Sequence, residues 1–156
     1  MRAFTTLAVA LLLLGSLLAT MVQADNGVEE SRPLPPADYE AAKKELEQKN
    51  YVAAIPLLVQ VVALEPRNAD AFTDLGYCHR ELNQKERALA YYKKALAIDP
   101  WHRSANESLG ELYLRLDDLE KAEQRLVVLD GACLFGCEEY DKLKAAIEAY
   151  KQKTAN

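Results

Sequence analysis

The residues of this chain whose types and spacing most readily do chemistry are Cys133 and Cys137, in the run Gly131-Ala132-Cys133-Leu134-Phe135-Gly136-Cys137. One reading is a structural disulfide, which for so short a loop contributes about 2 kcal/mol by restricting the unfolded chain. Two cysteines inside one regular helix do not bond, but Gly136 favours a non-helical loop between them. The other reading is a redox-active or copper-handling thiol pair, since a helix start at Cys137 would stabilise its thiolate. Glu138 and Glu139 oppose that thiolate, and a soft metal wants a third ligand, which neither His79 nor His102 supplies from nearby sequence. Cys78 leaves the count odd, and two residues after Gly76 it reads as a small buried thiol. No nucleophile with a paired base, glycine-rich phosphate loop or His-Glu metal spacing occurs, so the chain is expected to be non-catalytic and to need no cofactor. Asn106-Glu107-Ser108 is formally a glycosylation sequon, but on a segment that reads as helix.

The elements that position these residues follow from a repeat. Leu75-Gly76 returns as Leu109-Gly110, and 109 minus 75 is 34, an interval kept by Ala54, Ala88 and Ala122 and by Pro66 and Pro100. Within one interval, apolar residues fall at helical spacing on two segments, from Phe72 to Leu82 and from Ala88 to Leu96, divided by Asn83-Gln84. Pro100 cannot continue the second helix, so the chain turns there. Helix pairs that stack explain such a period. Gly76 and Ala88 sit where two axes must approach closely. Repeats are expected at 35–68, 69–102 and 103–136. In the first, helices are expected from Ala37 to Lys49 and from Val52 to Leu64, with Pro56 bending the second rather than breaking it. Asn106 replaces the aromatic Phe72 in the third, and Asp117-Asp118 marks its internal turn. After Leu129 the register is expected to lapse, with Gly131 as a left-handed cap. A closing helix over 138–151 then carries Tyr140, Leu143, Ile147 and Tyr150 on one stripe and a polar outer face. Trp101 is expected to staple the turn between repeats, His79 to be part-buried and His102 to lie in a loop.

The unit resembles the tetratricopeptide repeat (TPR) family: Phe72, Leu75, Gly76, Ala88, Tyr92, Ala95 and Pro100 fall on signature positions, while His79 stands where the family has Tyr. The resemblance implies an all-α fold, a right-handed α-solenoid of three helix pairs plus a C-terminal capping helix, over 37–153. It also implies a concave groove, lined by the first helix of each pair, that binds an extended peptide or a partner helix. Carried onto this chain, the groove positions are Tyr39, Lys43 and Leu46, then Asp70, Thr73, Asp74, Tyr77 and Arg80, then Ser104, Glu107, Ser108, Glu111 and Leu114. Asp70, Asp74, Glu107 and Glu111 against Lys43 and Arg80, with two tyrosines and two leucines, favour a basic or amphipathic partner segment. The family members that clamp acidic chaperone tails use Lys, Asn and Arg here, and this chain departs from them.

Compartment and charge narrow the partner further. Arg2, an apolar run from Leu7 to Leu18 and the exit Val22-Gln23-Ala24 have the form of a secretory signal peptide over 1–24. The competing reading is a retained membrane anchor, since Ala3 to Val22 is about the length that spans a bilayer. The proline-bearing stretch 25–36 reads as a disordered leader. Export would place the chain in a periplasm or outside the cell, where cysteines oxidise. Without its first 24 residues the chain has 18 basic and 24 acidic residues, a net charge of −6, and no basic run longer than two. That argues against nucleic acid or an anionic lipid surface as the main partner, because counterion release needs clustered Lys and Arg.

Overall fold

In a computed structural model, the structure describes residues 39–133 and 136–155. The residues expected as a signal peptide (1–24) and as a leader (25–36), the first two residues expected in the first helix, and Leu134 and Phe135 lie outside the described residues. Seven helices follow in order: α1 Tyr39–Glu47, α2 Tyr51–Leu64, α3 Ala69–Glu81, α4 Lys85–Ile98, α5 Arg103–Arg115, α6 Leu119–Ala132 and α7 Glu138–Thr154. No strand occurs among the described residues. Each helix packs on the next, and α3 and α5, like α5 and α7, also touch across the repeat boundary. The first helices therefore form one layer and α2, α4 and α6 the other, the expected stack of pairs.

Two kinds of turn alternate. Inside each pair, one residue takes a left-handed backbone: Lys49 (φ 59°), Asn83 (φ 57°) and Asp117 (φ 58°), again at the 34-residue interval. The amide after each reaches back over the helix end, Asn50 to Glu45 O (2.8 Å), Gln84 to His79 O (2.8 Å) and Asp118 to Tyr113 O (2.9 Å). This is the Schellman closure, which satisfies carbonyls that the helix end would leave bare. Lys49, which sequence placed inside the first helix, is thus the residue that ends it. Between pairs, the amides of Asn68, His102 and Gly136 donate to the carbonyls of Glu65 (3.0 Å), Asp99 (3.2 Å) and Cys133 (3.1 Å). Asn68 and His102 then cap the next helix through their side chains, accepting from Ala71 N and Ala105 N. His102 is accordingly a helix cap rather than a loop residue.

The register does not lapse after Leu129. Leu75, Leu109 and Leu143 are all buried at the common interval, so α7 stands as the first helix of a fourth, incomplete pair. Its buried residues, Leu143 and Ile147, lie on the stripe expected for a closing helix, which runs three residues beyond Lys151. Gly131 is not a left-handed cap: α6 continues through it to Ala132, and the left-handed glycine is Gly136 (φ 85°). A Cβ on Gly131 would stand 3.1 Å from the Trp101 ring, so Trp101 links the turn after α4 to the last turn of α6. Pro56 falls in the second turn of α2, on an exposed face, and the helix runs through it unbroken.

Close approach is strictest at two glycines. A Cβ on Gly76 would lie 2.5 Å from the Tyr92 ring, and one on Gly110 would lie 2.5 Å from the Leu143 side chain. Gly76→Ala is therefore expected to cost about 1–3 kcal/mol through overpacking against a rigid, fully buried ring. Lys49→Gly, which relieves a side chain in the left-handed region, is expected to add up to about 1 kcal/mol. Urea unfolding midpoints should move in opposite directions for the two variants.

Candidate binding groove

Polar contacts across the layer of first helices tie the repeats together. The Tyr39 hydroxyl on α1 donates to Asp74 Oδ2 on α3 at 2.7 Å, and Lys43 lies 5.3 Å from the Tyr39 ring centre while pairing with Glu40 at 2.5 Å. Next along α3, the Tyr77 and Tyr51 rings meet edge to face at 5.6 Å, and the Arg80 guanidinium stands 5.1 Å over the Tyr77 ring. Arg80 pairs with Glu111 on α5 and with Glu81 (3.2 Å), and Arg115 adds a contact to Glu81 at 3.5 Å. At the other end of α3, Asp70 Oδ1 meets His102 Nε2 at 2.9 Å.

Not all thirteen predicted positions are open. Thr73, Arg80, Ser108 and Leu114 are buried, because the first helices of neighbouring pairs close over them. Thr73 turns its hydroxyl back to Ala69 O (2.8 Å), and Leu114 packs with Ala122, Leu129, Leu143 and Ile147. The accessible wall is Tyr39, Lys43, Leu46, Asp70, Asp74, Tyr77, Ser104, Glu107 and Glu111. Continued by 34 residues, Ser104, Glu107 and Glu111 become Glu138, Asp141 and Ala145 on α7, a part of the wall that the sequence reading left out. The signal for it was available in Leu143.

This wall is acidic, and its cations are already engaged. Burial and the neighbouring Asp70 raise the Asp74 carboxyl above its ordinary range, against the opposing hydrogen bond from Tyr39. Burial first, then the repulsion of Glu111, raises Glu107 in the same direction. Glu107 forms no ion pair among the described residues, while Glu111 is held by Arg80. Such a carboxyl binds its proton more tightly folded than unfolded, so its ionisation lowers stability as pH rises through and beyond 4.5. Glu107→Gln should therefore raise the urea midpoint at pH 7.5, and the gain should vanish below about pH 4, where both forms are neutral.

The residues singled out for chemistry resolve differently. Cys133 and Cys137 are joined by a disulfide, with Cα atoms 5.6 Å apart. They occupy the positions of Asp99 and Arg103 in the preceding turn, so the bond spans the joint where Pro66 and Pro100 stand in the first two repeats. Cys78 is fully buried, and burial pushes its thiol up to about 12, which makes it inert. His79 is a buried residue with its needs met: Nδ1 lies 2.7 Å from Gln84 Oε1 and its ring stacks on Tyr91 at 5.2 Å. Asn106, the sequon residue, is fully buried, donating to Pro100 O (3.1 Å) and His102 O (3.0 Å) and accepting from Arg125 (3.3 Å). A glycan has no access to it. Reduction of the disulfide is expected to cost about 2 kcal/mol, read as a lower urea midpoint in dithiothreitol that Cys133→Ala with Cys137→Ala reproduces.

Tetratricopeptide repeat models match residues 39–101 and 85–147, the second reaching into α7. Among curated proteins, the 131 kDa subunit of transcription factor tau from Saccharomyces cerevisiae is 32% identical over 90 residues, 57% of this chain but only 9% of that subunit. Among solved structures, the Yersinia enterocolitica type III secretion chaperone SycD in complex with a peptide of the translocator YopD superposes with a TM-score of 0.65 at 20% identity, covering 74% of this chain and 91% of that one. The TPR2B-domain:pHsp70 complex of yeast Sti1 gives a TM-score of 0.68 at 13% identity, covering 74% and 94%. Together the two repeat models span residues 39–147, from α1 into α7, and the chain belongs to the tetratricopeptide repeat family.

Proposed function

We propose that this chain is a non-catalytic interaction adaptor that holds a short basic or amphipathic segment of a partner protein against its layer of first helices, in the cell envelope after export. The observation that carries this reading is the state of Glu107, a half-buried carboxylate beside Glu111 that forms no ion pair among the described residues and feels Lys142 and Arg80 only at a distance, on a wall whose Arg80 is spent on two other carboxylates. A ligand lysine or arginine placed there gains two partners and relieves a repulsion already present. Tyr39, Tyr77 and Leu46 supply apolar contact beside the charges, which suits an amphipathic helix or strand. The solved neighbours lend support, since SycD was captured with a peptide of the translocator YopD and the Sti1 domain in a complex with pHsp70. The export reading draws on the signal-like residues 1–24 and on the disulfide, which persists in oxidising compartments.

Fluorescence anisotropy with a labelled amphipathic peptide carrying three or four lysines on one face tests the reading. Binding is expected to weaken with added salt, and Glu107→Lys is expected to weaken it at least tenfold without changing helicity. An acidic peptide of the same length should not bind. Equal affinity of the two peptides, or indifference to Glu107→Lys, would sink the proposal.

A further inference from the structure

Position 102 does with a ring what position 68, one repeat earlier, does with an amide. Asn68 accepts from Ala71 N at 2.8 Å through Oδ1 and turns its own amide nitrogen to Glu65, in the same turn, at 2.7 Å. His102 accepts from Ala105 N at 3.2 Å through Nδ1, but its other nitrogen leaves the turn and meets Asp70 Oδ1 on α3 at 2.9 Å. An asparagine side chain does not titrate, whereas an imidazole changes charge between about pH 5 and 8. The other histidine of the chain, His79, is buried and spent on Gln84 and Tyr91.

The two contacts of His102 fix where its protons are. A ring nitrogen that accepts from a backbone N–H carries no hydrogen, so the neutral ring keeps its proton on Nε2, directed at Asp70. A second proton can go only on Nδ1, where it would face the Ala105 amide hydrogen. Proton uptake therefore opens the cap and turns the Asp70 contact into a charge-assisted ion pair. The start of α5 gives the new charge no hold, since it begins with Arg103 and has no acidic residue in its first turn. Facing the ring are Asp70 and Asp74 from α3, Asp99 from the turn and Arg103 from α5. Glu65 and Arg67 from the earlier turn and Glu139 from α7 line the clefts beside it. Arg103 and Glu139 pair with each other at 4.0 Å, and Asp99 accepts from Trp101 N at 3.0 Å, so Asp70 is the carboxylate that touches the ring.

We propose that His102 is a proton-operated switch: on acidification it gives up its cap on α5 for an ion pair with Asp70, and the acidic wall loosens its hold on a basic partner. Asp70 and Asp74 form the α3 part of that wall, and a charged His102 touches the first and lies within electrostatic reach of the second. It does there what a lysine of the partner would do, so the two compete. By linkage, a bound partner holds off the proton to the same degree. The effect on a partner rests on the groove reading above, whereas the exchange of contacts does not.

Nuclear magnetic resonance on the full chain with its disulfide intact, from about pH 8 to pH 5, tests the exchange, and anisotropy with the labelled lysine-bearing peptide tests its effect. At the upper pH the Nδ1 of His102 should be the bare nitrogen, and the Ala105 amide resonance should move in step with protonation of the ring. His102→Asn, which copies the Asn68 cap, should abolish that movement and leave helicity unchanged. Between about pH 7.5 and 5.5 the peptide should lose about threefold more affinity for the native chain than for His102→Asn, the effect of one charge added about 6 Å away in water. The comparison sets aside Asp74 and Glu107, whose raised carboxyls titrate in both chains. A proton on Nδ1 at the upper pH, an Ala105 amide that ignores the ring, or a parallel loss of affinity in the two chains overturns the proposal. Absence of binding by either chain at neutral pH fails the groove reading instead, and the Ala105 resonance then decides the exchange by itself.

Discussion

The space beside the first helices, toward their own partner helix at Gly76 and toward the next first helix at Gly110, is the constraint on which the structure depends. At Gly76 and Gly110 there is no room for even one more carbon atom, since a Tyr92 ring or a Leu143 side chain already occupies the site. The alanines at 54, 88 and 122, one on each second helix, are likewise fully buried. Interiors packed at this density tolerate little change in volume, so the small residues fix how far one pair is displaced from the last. Once that displacement is fixed, the positions that face outward, inward and into the seam are fixed with it, and the binding wall inherits its geometry from them.

Two turns deliver each helix to that spacing, and they use different chemistry. The turn within a pair relies on a left-handed residue, for which Asn83 and Asp117 are suited and Lys49 is not. The turn between pairs relies on proline twice and then on a covalent bond. Cys133 and Cys137 stand where the third proline turn would be, and among the described residues no second helix follows the one they lead into. An end helix has fewer neighbours to hold it, so a cross-link at its entry offsets contacts that an interior repeat obtains from the next pair.

The pairs and their period were legible in the sequence because small and apolar residues recur at a fixed interval, and that pattern reports packing directly. Gly131 misled for a local reason: a glycine near a helix end resembles a left-handed cap, whereas here it makes room for Trp101. The fourth first helix was obscured because the missing proline drew attention away from Leu143, which keeps the register. The groove positions were legible only as faces of isolated helices. Arg80 and Glu111 are 31 residues apart, off the repeat interval, so periodicity alone gives no hint that they pair. Their pairing turns an expected free cation into a buried one and leaves the wall more acidic than its composition implies.

That imbalance joins stability to binding. Asp74 and Glu107 have carboxyls raised by burial, so at neutral pH the folded chain holds ionised groups that it would hold more easily as neutral ones. By linkage, whatever returns these carboxyls toward their ordinary range stabilises the fold by the same free energy with which it binds. In the proposed role a cation from a partner would do this and an anion the reverse, so the wall would discriminate by charge before any shape is matched. The tightest packing, between Gly76 and Tyr92 and between Gly110 and Leu143, involves none of the wall residues. In the proposed role, recognition is thereby separated from the packing that maintains the repeat, and the acidic residues can vary without disturbing the spacing that presents them.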